Sequence, residues 1–283
     1  MDKDFVTIHT PAFTIEGCSR AGHETWFRVR ELGISLDIGR CPDPVVSMPH
    51  IFVTHAHLDH ALGIPFYAGQ RHLQRIAGGR VYVPSESADD FRALMKLHEK
   101  LEGTMYDIEM VGMAVGETVR LGRTHLARAH NATHRVAARA FEFVEIRHHL
   151  KKVFEGTAAE DLARLRREGV SVADEFEQSM LFYTGDTDRG ILETNERLFQ
   201  SDVLMIECSF VADGHQDRAS MYRHIHFDDL ANHADRFKNQ MIVLTHFSRR
   251  YSCEEIRDTL RRRCPAILRD RIRLALPLPF TTL

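Results

Sequence analysis

The chain has 283 residues, 43% of them hydrophobic, and a formal charge of −3. That composition supplies a large core, offers no stretch near the roughly 20 consecutive apolar residues of a membrane-spanning helix, and excludes a uniformly basic nucleic-acid binder while leaving room for local basic patches. Five scattered cysteines without a C-x-x-C pair exclude a disulfide framework and a zinc knuckle.

The first residues, MDKDFVTIHT, lack the charged, apolar and small-residue blocks of a secretory signal, so a cytoplasmic protein in a reducing compartment, with no membrane partner, is expected. Short β-branched and apolar runs then recur: GISLDIG near 35, IFVT at 51–54 and RVYVP near 82. The segment SADDFRALMKLHEKLEG reads as a helix with Ser87 as N-cap, acids in its first turn and Gly103 as its stop. LARAH near 128 and AFEFVEI near 143 read as strands. TAAEDLARLRREG reads as a helix with a Thr157-x-x-Glu160 capping box, ending at Gly169. MLFYTGD near 182, DVLMIE near 204 and QMIVLTH near 243 are further strands, and a helix in DDLANHADRF begins near Asp228. Strands and helices mixed from end to end, without a linker or repeat, predict one layered α/β domain over 1–283.

Histidine is unusually frequent, with 18 in the chain, and one cluster has a geometric reason. In IFVTHAHLDHALG, side chains alternate along the extended run, so His55 and His57 point the same way and reach one metal. A turn after Leu58 makes Asp59 and His60 available to a second metal, the arrangement of a two-metal hydrolase. Such a centre needs more ligands. Three later strand ends offer them: His130 and His134 in ARAHNATHRV, Asp186 in FYTGDTD, and His246 in IVLTHFSRRY.

With these motifs in view, the sequence resembles the metallo-β-lactamase superfamily, and within it ribonuclease Z, the endonuclease that removes the 3′ trailer from precursor tRNA; the likeness is closest to the short plant-type enzymes. It is carried by GCSRAGHETWF, LDIGRCP, THAHLDHALGIPFY, ATHRVAARAFEF, FYTGDTD, LMIECSF, HIHFDDLANHA and LTHFSRRY, the last two being the more discriminating. IECSF stands where many members have Glu-Ala-Thr, and no lysine-arginine-asparagine loop occurs near the N-terminus.

The resemblance implies a four-layer αββα sandwich with the metals at one edge between the sheets. It implies two zinc ions per chain, with Mn2+ or Fe2+ also compatible with the donors. His55, His57 and His134 would hold one, Asp59, His60 and His246 the other, and Asp186 would bridge. His134 matches the family pattern better than His130. Asp37, ending ISLDIG, would accept a hydrogen bond from a ligand imidazole. Asp59 would take or orient the proton of the water that attacks phosphorus, and His226, preferred over His224, would protonate the leaving 3′-oxygen. Arg249 and Tyr251 in SRRY would contact phosphate or brace the loop. Residues 147–176 sit where the family inserts a tRNA-gripping arm, making Lys151 and Lys152 candidate contacts, although the mixed charge there also suits a solvated helix. Precursor tRNA as partner and a homodimer are implied likewise. The alternatives are a hydrolase of the same fold acting on a cyclic nucleotide, lactone or thioester, and an RNA-binding homologue without catalysis.

Overall fold

Apolar side chains run through the predicted strands, and two seven-stranded sheets result in the computed structural model, which describes residues 5–283. The first sheet follows chain order: β1 (Val6–His9), β2 (Thr14–Arg20), β3 (Glu24–Val29), β4 (Ile34–Leu36), β5 (His50–Phe52), β6 (Arg80–Pro84) and β7 (Glu109–Met113). The second holds β8 (Thr118–Leu121), β9 (His125–Ala132), β10 (Ala138–Leu150), β11 (Ala173–Tyr183), β12 (Val203–Glu207), β13 (Met241–Thr245) and β14 (Ile272–Leu274), again with neighbours in chain order. Each sheet is antiparallel in its first half and parallel from β4 to β7 and from β11 to β14. Parallel neighbours require crossovers, so both faces of those halves are covered and their strands are apolar on both sides.

Strand β12 shows the consequence. Val203 and Met205 join the core between the sheets, whereas Leu204 and Ile206 face the opposite way, into a core shared with Leu230, Ile256 and Leu260 of the covering helices. A third core, with Val53, Ile64, Tyr67 and Phe91, lies under helices on the outer face of the first sheet. Between the sheets, Phe52 stacks on Tyr82 at 4.4 Å and meets Phe141 of the other sheet edge-on at 5.1 Å. Three cores separate four layers, so the architecture is the αββα sandwich.

Strands β10 and β11 form a long hairpin, in register from Phe141 opposite Tyr183 to Leu150 opposite Ala173, with a shift at Phe143/Val144. The segment 151–172 between them contains the helix Ala159–Arg167, which buries no residue. Its expected capping box is absent. The cap position is Ala158, and the Thr157 amide is instead committed to the Phe154 carbonyl at 3.1 Å, closing the preceding turn. Ser87 does precede the helix Ala88–Glu102, without a side-chain cap bond, and Gly103 ends it in the left-handed conformation (φ 65°). The helix expected to start near Asp228 runs Phe227–Asn232, with His226 as its cap.

Candidate metal centre

In open parallel sheets, ligands bind beyond the C-terminal ends of the strands. Here five such ends meet. Asp37 follows β4, residues 54–60 follow β5, Asp186 follows β11, Glu207 ends β12 and His246 follows β13. Gly185 (φ 58°) lets the turn after β11 lie against β5, since a Cβ there would stand 2.5 Å from the Thr54 side chain. Asp37 and His246 themselves have positive φ (54° and 58°), backbone strain of the kind that collects at functional sites.

The hydrogen bonds fix which nitrogen each imidazole presents. Asp37 accepts from the Thr54 hydroxyl at 3.0 Å, so that hydroxyl can only accept from His55 Nδ1, also at 3.0 Å. Asp37 also accepts from His60 Nδ1 at 2.8 Å and from the Tyr183 hydroxyl at 2.7 Å. The Arg223 carbonyl accepts from His134 Nδ1 at 3.2 Å. Ser209 donates to Glu207 at 2.7 Å and therefore accepts from His246 Nδ1 at 3.0 Å. Four histidines thus donate from Nδ1 and turn Nε2 inward.

Those inward nitrogens converge. His55 Nε2 and His134 Nε2 lie 3.0 Å and 3.3 Å from His57 Nδ1. His60 Nε2 and His246 Nε2 are buried without a hydrogen-bond partner and lie 3.5 Å and 3.7 Å from an Asp59 oxygen. Asp186 stands between the two groups, 3.8 Å from His55 Nε2, 3.4 Å from His60 Nε2 and 3.2 Å from His246 Nε2. So many imidazole nitrogens and carboxylate oxygens gathered in one buried place are the donor set a cation takes. The donor set therefore fits divalent metal: several overlapping trios have ligand atoms within 4.8 Å of one another, among them His55/His57/His134, His55/His60/Asp186 and Asp59/His60/His246, and His224 joins two more, with His134/Asp186 and with Glu207/His246.

Electrostatics agree with that fit. Burial lowers the pKa of His55, His57 and His134, keeping them neutral, as ligands must be. His60 is different: burial opposes its charge, but Asp186 and Asp37 together hold its pKa well above the ordinary value. That favours a second proton on His60, on Nε2 beside Asp186, in the cation-free protein. Because a cation must displace it, metal binding is expected to release about one proton and to weaken as pH falls. Titration calorimetry of the metal into apo-protein in buffers of differing ionisation enthalpy measures that release; identical heats in all buffers would contradict it.

Not every predicted residue reaches the cleft, whose volume is about 260 Å³. His130 pairs instead with buried Glu142 at 2.9 Å. His226 is corrected: it is 1% exposed, its Nδ1 accepts from the Asp228 amide at 3.1 Å, its Nε2 faces the Ala212 carbonyl at 3.0 Å, and Asp229 closes a capping box onto its amide. Its imidazole is consumed by the helix start. His224 instead lines the cleft, with its ring 5.2 Å from both His134 and His246 and its Nδ1 2.8 Å from Glu207. Burial opposes its charge, but Glu207 and Asp186 raise its pKa to about 9. Arg249 is exposed outside the cleft lining, which includes Arg250. Tyr251 braces its loop against His215. Lys151 lies 3.7 Å from Asp174, and Lys152 is exposed with no ion pair among the described residues.

Reading by motif passed over Glu207, Ser209, Tyr183, Arg135, Tyr222 and Arg250. Glu207 carried a usable signal, a carboxylate directly ending the apolar run VLMI of a buried strand.

Comparison with known proteins places this geometry. The profile of the Beta-lactamase superfamily domain matches residues 39–247, a span that takes in all seven ligand candidates. The tRNase Z TRZ1 of Arabidopsis thaliana is 32% identical over 251 residues, covering 88% of this chain and 90% of that protein. The fold is also that of the human tRNase Z short form (TM-score 0.54, 17% identity, 87% of this chain and 93% of that one). The same holds for the metallo-beta-lactamase fold protein YhfI of Bacillus subtilis (TM-score 0.59, 14% identity, 92% and 93%). The chain belongs to the tRNase Z family of the β-lactamase superfamily.

Proposed function

We propose that the chain is a metal-dependent endoribonuclease that removes the 3′ trailer of precursor tRNA. The observation that carries this reading is the convergence of His55, His57, His134, Asp59, His60 and His246 around Asp186, in a chain alike to a tRNase Z over most of its length. His55, His57 and His134 would hold one cation, Asp59, His60 and His246 another, and Asp186 both; imidazole and carboxylate donors favour zinc. Bound cations supply Lewis acidity and a lowered pKa for water. Asp37 and Tyr183 keep His60 in its tautomer. Asp59, fixed by the Gly22 amide at 2.8 Å, orients the attacking water and takes its proton. As water oxygen bonds to phosphorus the P–O3′ bond breaks, and His224, steadied by Glu207, gives its proton to the departing oxygen. The products are a 3′-hydroxyl on the tRNA and a 5′-phosphate on the trailer.

The hairpin tip at 151–172, with exposed Lys152, serves as the tRNA-gripping arm in this reading, and Arg250 takes over the phosphate contact expected of Arg249. A homodimer belongs to the same proposal. Leu58, Leu62 and Leu94 are exposed around an apolar groove of about 470 Å³ beside the cleft, an apolar patch of the kind that marks a protein interface. Light scattering is expected to give twice the chain mass, and a charge placed by Leu62→Glu to give the monomer; wild-type protein at the monomer mass rejects it. Cys41, Cys208 and Cys264 are free thiols, all buried, as suits a reducing compartment, and we place the protein in the cytoplasm. No helix among the described residues is long and apolar enough to cross a membrane.

The test is incubation of the zinc-loaded protein with a 3′-extended tRNA transcript and mapping of the cut. Cleavage at the trailer junction is expected. Hydrolysis of bis-p-nitrophenyl phosphate with the transcript left intact assigns the chain to small-substrate hydrolysis instead, and an Asp59→Ala variant equal to wild type in every assay leaves only RNA binding.

A further inference from the structure

The metal centre forms the floor of the cleft, and one of its lips carries a pair of side chains with no part in that floor. The Arg135 guanidinium lies over the Tyr222 ring, 5.0 Å from its centroid, and both line the cleft. Tyr222 is 37% exposed, and Arg135 is exposed with no carboxylate partner among the described residues. Neither contributes to a core.

The pair is built in. Arg135 donates to the Met221 carbonyl at 3.3 Å, Arg223 donates to the His134 carbonyl at 3.5 Å, and the Arg223 carbonyl accepts from His134 Nδ1 at 3.2 Å. Segments 134–135 and 221–223 are thereby laced together. Arg223 is left-handed (φ 57°, ψ 55°), and this reversal sets Tyr222 on the lip and His224 within the cleft two residues later. The platform therefore moves with His224 and His134 as one unit.

An aromatic ring with a guanidinium plane beside it, open to solvent, offers a surface on which an unpaired nucleobase stacks. Its place next to His224 decides which nucleotide it meets. Because His224 faces the departing O3′, the nearest base is the one on the nucleotide that carries that oxygen. Gly22 and Arg250 line the cleft as well, with Gly22 tied to Asp59 on the attacking side.

We propose that Arg135 and Tyr222 form a stacking platform for the base of the last nucleotide retained in the tRNA, orienting its 3′-oxygen toward His224. This rests on the tRNA reading above. Precursor tRNA transcripts are compared with versions carrying an abasic residue at the last retained position or at the first trailer position. On the intact transcript, Tyr222→Ala is expected to raise KM about tenfold, the usual loss for one stacked base, with kcat changed far less, while Tyr222→Phe restores the wild-type KM. On the transcript abasic at the retained position, Tyr222→Ala is expected to have no further effect; on the one abasic in the trailer, its full effect. Melting temperature and bound zinc of Tyr222→Ala, measured alongside, report its folding. An unchanged KM on the intact transcript overturns the platform, and an effect absorbed by the trailer abasic site overturns the assignment to the retained nucleotide. A folded variant whose defect persists unchanged on every transcript overturns it too. Wild-type protein that cleaves bis-p-nitrophenyl phosphate but not the transcripts removes the tRNA reading and the platform together, whereas cleavage with an indifferent Tyr222 removes the platform alone.

Discussion

Asp186→Ala is expected to lower kcat/KM on precursor tRNA by on the order of 10³-fold or more and to reduce bound metal below the wild-type content. Among the described residues, Asp186 is the one carboxylate with ion-pair distances within 4 Å to ligand nitrogens of both groups, reaching His55, His60 and His246. It is buried, and burial opposes its charge, but His246 and His60 nevertheless hold its pKa well below the usual carboxylate value, which favours the anion. Removing that charge leaves a cluster of imidazoles with less negative charge to offset a cation. Asp186→Asn separates charge from shape: the same loss is expected, because an amide keeps the volume but neither the charge nor the second anionic oxygen. Metal analysis by mass spectrometry and steady-state kinetics check both variants. An Asp186→Asn enzyme with full metal content and full activity would contradict a shared carboxylate.

Replacing His224 by Ala is expected to cost 10²- to 10⁴-fold in kcat, the range for losing a positioned general acid. Glu207→Gln should cost less, since it leaves the imidazole in place. The double variant should be no slower than His224→Ala, because the two residues act through one proton. His226→Ala should behave otherwise, losing about 1 kcal/mol of stability with the helix cap while the folded enzyme keeps its turnover. The pH behaviour carries a sign. In the cation-free protein the His224 pKa of about 9 exceeds the unfolded value of 6.5, so the Glu207 pairing stabilises fully below pH 6.5 and is lost as pH rises through about 9. Glu207→Gln should abolish that slope in melting temperature between these limits. Bound cations, being positive, lower the His224 pKa, so the alkaline limb of kcat should lie below pH 9 and move lower still in Glu207→Gln. A His226→Ala variant that loses turnover while His224→Ala retains it would reverse these roles.

Part of this protein is decided along the chain. Strand β5, its apolar run and the spacing of His55, His57, Asp59 and His60 depend on local alternation and one turn, and so did the strand ends that supply Asp186 and His246. What local pattern could not decide is which of two neighbouring side chains faces the cleft. His224 and His226 lie on the same short extended segment, where alternation gives both the same side. The left-handed turn at Arg223 and two bonds from Glu207, to His224 Nδ1 and to the Ile225 amide, aim His224 at the metal ligands, while the capping box of the helix Phe227–Asn232 takes His226. Glu207 comes from a strand 17 residues earlier, so no window of local sequence contains that competition. The same reason separates His134 from His130, whose ring is claimed by Glu142 across a β-ladder. Residue types and their spacing follow from the sequence. Orientation follows from hydrogen-bond partners distant in the chain, and those exist only once the sheets have assembled.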